Sequence, residues 1–394
     1  MKKLMSLVFS ACLLAGLAFA ADAPKEPIKI GEMMPYTGGT QFTIPFREGV
    51  KFAIDEINAA GGIKGRPLEI IERDDHASPD TAVRLAEDLV FHEKVAMLMG
   101  AAFDNVGLAV ASYANKNKVP FLKLWSSSCD EVESENNDYY FSSTPCYKPY
   151  VGVLAREAAK LPYKRWATIA PNYVYGRVFA KYFISELKRL RPDVTFVAEE
   201  YPAPGKINAA AEVRALDKAK PEAIFTCILG PDLVSYLVYT EKVGFLKDKF
   251  SISGTNIGSG IAIREFGAAY PKGWLTEGVP EDVRGHPVET FVVAFEKAYG
   301  KRPDLMAVYG YQMVQLVAQA LRDAKSLSHD DIRNALENVS INGPLGHVAM
   351  KNKQLFIGRW LGYTDNQNGK GKFVNAKWYT AEDLFPEAFG KPDK

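Results

Sequence analysis

The chain has 394 residues, 47% hydrophobic and 24% charged, with a formal net charge of +1. That length predicts two or three domains with cores of ordinary size. Nothing in the near-neutral balance suggests a nucleic-acid partner, and no low-complexity tract or short repeat points to a disordered or solenoid architecture.

The first residues read as an export address. Lys2-Lys3 is basic, Leu4 to Ala18 is mostly apolar, and Ala18-Phe19-Ala20 fits a small-x-small cleavage site. The run is too short and wrongly flanked for a stable transmembrane helix. Residues 1–20 are therefore expected to be a signal peptide cleaved after Ala20, which places the protein in the periplasm. Phe9-Ser10-Ala11-Cys12 is a poor lipobox, so lipidation at Cys12 is not the expected outcome. Export implies an oxidising compartment. Cys129 and Cys146 flank the polar, turn-prone segment 130–138, which makes a disulfide between them plausible, and Cys227 in Ala223–Ile228 suits a buried, inert thiol. No Cys-x-x-Cys pair supports a redox or zinc motif.

Ile28–Met34 alternates as a strand, Pro35-Tyr36-Thr37-Gly38-Gly39-Thr40 breaks it, and Phe46, Val50, Ala53, Ile54 and Ile57 space a helix that Gly61-Gly62 stops. Leu68–Glu72 alternates again. Strand, helix, strand makes a right-handed βαβ unit, with ligands expected at the carboxyl ends of its strands and anions at the helix N-terminus.

The runs Ile28–Gly31, Thr37-Gly38, Gly49–Ala53, Glu56–Leu68 and Asp74-Asp75 resemble the opening of leucine/isoleucine/valine-binding-type periplasmic proteins, the type I solute-binding proteins of ABC importers. The likeness continues more weakly to about residue 325.

Further along, Ser78–Phe91 reads as a helix capped by Ser78 with Pro79 at its first position. Val95–Met99 is a buried strand ending in Gly100–Asp104. Val106–Asn115 is a helix, and Val119–Leu124 a strand ending in Trp125-Ser126-Ser127-Ser128. A similar second half follows: helix Tyr150–Lys160, strand Trp166–Ala170 with exit loop Pro171–Gly176, helix Val178–Leu190, strand Val194–Val197, strand Glu222–Ile228 leaving through Leu229–Asp232, and strand Phe250–Ser253 leaving through Gly254–Gly258. Trp274–Val279 is its last strand. Pro287–Tyr299 and Met306–Ala324 are helices returning to the first half, Ile341–Tyr363 reads as strands with Gly turns, and Asn366–Lys372 as a hairpin tip.

The alternation predicts an α/β fold. The resemblance implies two Rossmann-like lobes of type I periplasmic-binding-protein architecture with three crossovers, near 147, 280 and 342. The lobes would then be 28–146 plus 281–341 and 147–280 plus 342–385.

Strand-end loops that face one another make a concave site. The first half supplies Thr37, Gln41, Phe42, Ala102, Phe103, Asp104, Trp125, Ser126 and Ser127. The second supplies Tyr175, Leu229, Asp232, Thr255 and Asn256, with Tyr147 and Tyr150 near the first crossing. Aromatic walls with a few neutral hydrogen-bonding groups suit a small, partly apolar solute. Bland alternatives stand beside these. Asp104 could be only a helix cap, and the serines likewise. Asp74-Asp75-His76 is a strand-end turn before it is a metal site, and Tyr309-Gly310-Tyr311 is core or cleft rim.

In the resembled family the loops matching Ala101–Phe103 and Trp125–Ser127 grip the ligand carboxylate, and the Tyr before Gly, here Tyr175-Gly176, covers it. A second-lobe acid meets an amino-acid ammonium; Asp232 is the available match, while Thr255-Asn256 stands where an acid would. Ala102 and Phe103 also stand where Ser or Thr is common. These departures, with Phe42, Phe103 and Trp125, favour an aromatic or otherwise apolar carboxylate, with branched-chain amino acids second. Phosphate-loop, nucleophile-elbow and dinucleotide signatures are lacking. The resemblance implies the substrate-binding component of an ABC importer that closes by a hinge, is expected to be monomeric without metal or cofactor, and serves an inner-membrane permease and its ATPase. The rival readings are a ligand-sensing module of the same fold and an exported enzyme.

Overall fold

The computed structural model describes residues 25–125, 128–129 and 138–391. The expected signal peptide, Cys12, Ser126 and Ser127 lie outside them.

The first lobe opens with β1 (Ile28–Met34), α1 (Thr40–Ala59), β2 (Leu68–Asp74) and α2 (Pro79–Phe91). It continues with β3 (Met97–Gly100), α3 (Asp104–Asn117), β4 (Phe121–Lys123) and β5 (Tyr140–Ser142). The second lobe holds α4 (Tyr147–Ala159), β6 (Arg165–Ile169), α5 (Val174–Leu190), β7 (Thr195–Glu200) and α6 (Ala209–Ala219). It goes on through β8 (Ala223–Thr226), α7 (Gly230–Val243), β9 (Phe250–Ser253), α8 (Gly260–Phe266) and β10 (Leu275–Gly278). Helices α9 (Val288–Tyr299), α10 (Leu305–Asp323) and α11 (His329–Asn338) return to the first lobe. Strands β11 (Ser340–Gly343), β12 (Gly346–Lys351), β13 (Gln354–Phe356), β14 (Arg359–Gln367) and β15 (Lys370–Tyr379) follow.

The strands form two sheets, ordered β11-β12-β13-β5-β4-β3-β1-β2 and β15-β14-β10-β9-β8-β6-β7. Each has a parallel centre and an antiparallel edge, and helices cover both faces. In each the chain reverses direction beside its first strand: β1 lies between β2 and β3, and β6 between β7 and β8. Those are the topological switch points where α/β sheets bind ligands.

The chain passes between lobes three times, after β5, after β10 and after β13. The third passage corrects the boundary expected near 342. Strands β12 and β13 pair within the first sheet, β13 alongside β5, so the crossing falls between Phe356 and Arg359. Residues 343–346, where the resemblance put the crossing, turn the β11–β12 hairpin inside the first sheet.

Returning helix α10 docks against α1 by backbone contact. A Cβ on Gly49 would stand 1.9 Å from Ala307 O, and one on Gly310 would stand 2.2 Å from Phe46 O. Only glycine permits that approach. It places Tyr309 toward the cleft and leaves Tyr311 in the Phe52–Phe291 cluster.

The Cys129–Cys146 disulfide is present, with Cα atoms 5.0 Å apart. It ties the chain after β4 to the start of the first crossing, since Cys146 is the N-cap of α4. Cys227 is free and buried. Its thiol, pushed up by burial, lies 3.9 Å from Gly176 O. Among the described residues no helix is long and apolar enough to cross a membrane.

Candidate functional site

One cavity of about 330 Å³ lies between the lobes, lined from both switch points. From the first lobe come Gln41 and Phe42 of the β1–α1 connection, Ala102, Phe103 and Asp104 after β3, and Trp125 after β4. From the second come Tyr173 and Tyr175 after β6, Leu229 and Gly230 after β8, and Thr255 and Asn256 after β9. Tyr147 and Tyr150 of α4 and Tyr309 of α10 close the hinge side.

The helices entering this cavity are short of caps. No side chain caps the N-termini of α1, α3, α5 and α7. Uncapped first-turn N–H groups carry the positive end of the helix dipole, so four helix starts favour negative charge in one enclosure. Among the described residues no Lys, Arg or His lines it.

The first-lobe wall is an edge-on aromatic set. Phe42 meets Trp125 at 5.0 Å and Phe103 at 6.3 Å between ring centroids. Ala101 (φ 54°) and Trp125 (φ 63°) occupy the left-handed region, which costs an L residue of order 1 kcal/mol and tends to cluster at binding sites. Trp125 Nε1–H is buried without a partner among the described residues.

Asp104 is neither the cap nor a free ligand group. Phe103 is the N-cap of α3. Asp104 Oδ1 accepts from the fully buried Lys123 Nζ at 3.3 Å, and Oδ2 accepts from Tyr147 O–H at 2.6 Å. The carboxylate therefore reaches the cavity already neutralised.

The second-lobe wall is a cluster of tilted and edge-on rings. Tyr175 packs on Tyr147 at 5.6 Å and Phe179 at 5.2 Å, with Tyr173 beside it at 5.8 Å. Burial holds the Tyr175 phenol well above its ordinary range.

Behind the hinge-side wall sits Glu277 at the end of β10. It accepts from Tyr150 O–H at 2.9 Å and Tyr309 O–H at 2.8 Å. Arg359, just after the third crossing, lies 3.7 Å from Glu277 and 3.6 Å over the Tyr150 ring. This network joins all three crossings. At the mouth, Asp304 caps α10 through Met306 N–H at 3.2 Å and accepts from Ile261 N–H of α8 at 2.9 Å, bridging the lobes. Burial raises its pKa above the usual carboxylate value.

The structure thus brings Gln41, Phe42, Ala102, Phe103, Asp104, Trp125, Tyr150, Tyr175 and Asn256 to one cavity. Asp232 is a correction. It does not line the cavity, because its carboxylate accepts from Gly205 N–H at 2.6 Å and Ile207 N–H at 3.3 Å and so anchors a surface loop. Thr37 is likewise turned away, donating to Asp74 from both its N–H and its hydroxyl. Asp74-Asp75-His76 forms the strand-end turn, and no metal-capable cluster occurs among the described residues. Lys123, Glu277 and Arg359 escaped the sequence reading. Their signal was a charge inside an otherwise apolar strand, as in Phe121-Leu122-Lys123-Leu124 and Trp274-Leu275-Thr276-Glu277.

A family model described as periplasmic binding protein matches residues 27–359. Leu/Ile/Val-binding protein homolog 4 of Brucella abortus (strain 2308) is 25% identical over 366 residues, covering 86% of this chain and 84% of its own. Among solved structures, a solute-binding protein of an ABC transporter from Rhodopseudomonas palustris BisB5, in complex with 3,4-dihydroxybenzoic acid, superposes with a TM-score of 0.79 at 21% identity, covering 90% of this chain and 98% of its own. A branched-chain amino acid transporter substrate-binding protein from Streptococcus pneumoniae, in complex with isoleucine, gives 0.77 at 21% identity, covering 90% and 99%.

Proposed function

The chain belongs to the periplasmic binding protein family, of the Leu/Ile/Val-binding type, and from that premise we propose that it is the substrate-binding component of an ABC importer. It captures a small carboxylate with an apolar or aromatic body, performs no chemistry on it, and presents it to an inner-membrane permease driven by an ATPase. It works as a periplasmic monomer released from a signal peptide at Ala20. The observation that carries this reading is the cavity shared by both switch points, rimmed by four uncapped helix starts and walled by aromatic rings.

The ligand-contacting residues are Gln41, Phe42, Ala102, Phe103, Asp104, Trp125, Tyr150, Tyr175 and Asn256. The aromatic walls favour an aromatic acid, and Asp232's engagement with the 205–207 loop removes one partner for an amino-acid ammonium, whose burial unpaired is costly. The 3,4-dihydroxybenzoate of the Rhodopseudomonas neighbour supports the same preference. Closure follows from differential affinity: a ligand touching both walls binds the closed lobes better and shifts the population toward them.

Calorimetric titration with 4-hydroxybenzoate and with leucine tests this. The expected result is saturable binding, compaction in solution scattering, and recovery of the ligand unchanged by mass spectrometry. Turnover of the ligand, or binding with no change in scattering, would overturn it.

A further inference from the structure

The start of α10 belongs to the first lobe, yet its cap reaches the second. Asp304 Oδ1 accepts from Met306 N–H at 3.2 Å and so caps its own helix. Asp304 Oδ2 accepts from Ile261 N–H of α8 at 2.9 Å. Ile261 is the second residue of α8, so its N–H lies in the first turn, where an amide has no acceptor within its own helix. Ser259 caps that helix at the next amide, Ala262 N–H, at 3.3 Å, which leaves Ile261 to the carboxylate from the other lobe. Arg264 of α8 brings positive charge to the same spot. Asp304 Oδ2 and Arg264 Nη1 stand 3.5 Å and 3.2 Å from the place a Cβ on Gly260 would take. Other hydrogen bonds join the lobes on the hinge-side wall, among them Tyr309 O–H to Glu277 and Tyr147 O–H to Asp104. Asp304 differs from these in dividing one carboxylate between two helix starts, one per lobe.

We propose that Asp304 is a positioning residue for lobe closure, a latch that favours the closed lobes before any ligand enters and holds them shut afterwards. The proposal rests on reading the chain as a two-lobed protein that closes on its ligand. A hydrogen bond to a charged group outweighs a neutral one, and this bond exists only while α8 and α10 are together. It therefore shifts the lobe equilibrium and not the fit of the ligand. Whatever occupies the cavity is bound more tightly by one common factor, because apparent affinity scales with the fraction of protein in the competent form. Asp304 also lines the mouth of the cavity, so direct contact with the ligand is the competing role.

Two variants separate these roles. Asp304→Ser keeps a good N-cap for α10 but carries a single oxygen, and Asp304→Asn keeps the shape with one acceptor oxygen instead of two. In the ligand-free proteins, hydrogen exchange at the Ile261 amide is expected to be about tenfold slower in wild type than in either variant. Solution scattering of the ligand-free variants is expected to give the larger radius of gyration. In calorimetric titration, 4-hydroxybenzoate and leucine should lose affinity by the same factor, about tenfold, through faster dissociation. A merely structural cap would lower the melting temperature while leaving exchange at Ile261 and ligand-free scattering as in wild type, and that result would overturn the proposal. A loss confined to one of two compounds that both bind wild type would overturn it too, as the mark of a direct contact. The exchange and scattering measurements need no ligand, so the latch stands or falls by them even where neither compound binds, an outcome that counts against the proposed ligand class alone.

Discussion

Behind Asp104, in the first-lobe wall, stands a fully buried ammonium, Lys123, lying so close under α3 that a Cβ on Gly107 would meet its Cε at 2.3 Å. Behind Tyr175, in the second-lobe wall, stand rings: Phe179 at 5.2 Å, and beyond it Phe183 and Phe225 stacked at 4.0 Å. The first lobe also buries Glu32 under α1, bonded to Tyr36. The two lobes share a topology yet fix their walls differently. Buried ions are directional, and losing one partner strands the other. Stacked rings are held by area and shape, and tolerate a swap of similar volume. One wall is a rigid template, and the other is a surface that can adapt to what lies on it.

The contrast can be broken by single substitutions. The largest effect is expected from Lys123→Met, which leaves the part-buried Asp104 carboxylate with the Tyr147 bond as its remaining side-chain partner among the described residues and should cost about 3 kcal/mol in urea unfolding. Adding Asp104→Asn should recover most of it. A loss under about 1 kcal/mol would show that the ion pair is not what holds this wall.

Next comes Glu32, whose folded pKa, raised by desolvation to about 7, lies above its free value of 4.5. Its contribution is complete below pH 4.5 and is lost as pH rises through about 7, up to about 3 kcal/mol. Glu32→Gln should be more stable than wild type at pH 8 and indistinguishable from it at pH 4. The difference between the two proteins cancels His286, whose pKa burial lowers to about 4 and which slopes the other way. Equal melting temperatures at pH 8 would refute the effect.

Phe183→Met in the second lobe should cost only about 1 kcal/mol, because methionine refills most of the volume. A cost near that of Lys123→Met would erase the distinction between the lobes. The smallest effect on binding is expected from Asp232→Ala. It should loosen the 205–207 loop by about 1 kcal/mol and leave the affinity for 4-hydroxybenzoate and leucine unchanged. A tenfold loss of affinity would return Asp232 to the site.

Much of this architecture was legible before any coordinates. Periodicity marked β1, α1, β2 and α2, down to the Ser78 cap, whose side chain accepts from Thr81 N–H. Helices α6, α7, α8 and α11 went unread; α6 and α11 are short, with two buried residues each to set a period. Strand-end position identified Phe42, Phe103, Trp125, Tyr175 and Asn256 as cavity residues. It failed for Asp232, because sequence locates a residue on a loop and not the direction its side chain takes. It also missed Glu277 and Arg359, which belong to different crossings and meet only when the chain has passed between the lobes three times.

That threading constrains the order in which the molecule can be made. The first-lobe core contains Ile30, Phe46 and Val50 from its opening residues, and also Phe291, Phe295, Leu316, Val348 and Leu355 from far along the chain. A polypeptide emerging N-terminus first holds an unfinished, apolar first lobe throughout the synthesis of the second. Neither half can mature before the other has been made, so an interval of exposure to chaperones and proteases is built into the chain itself.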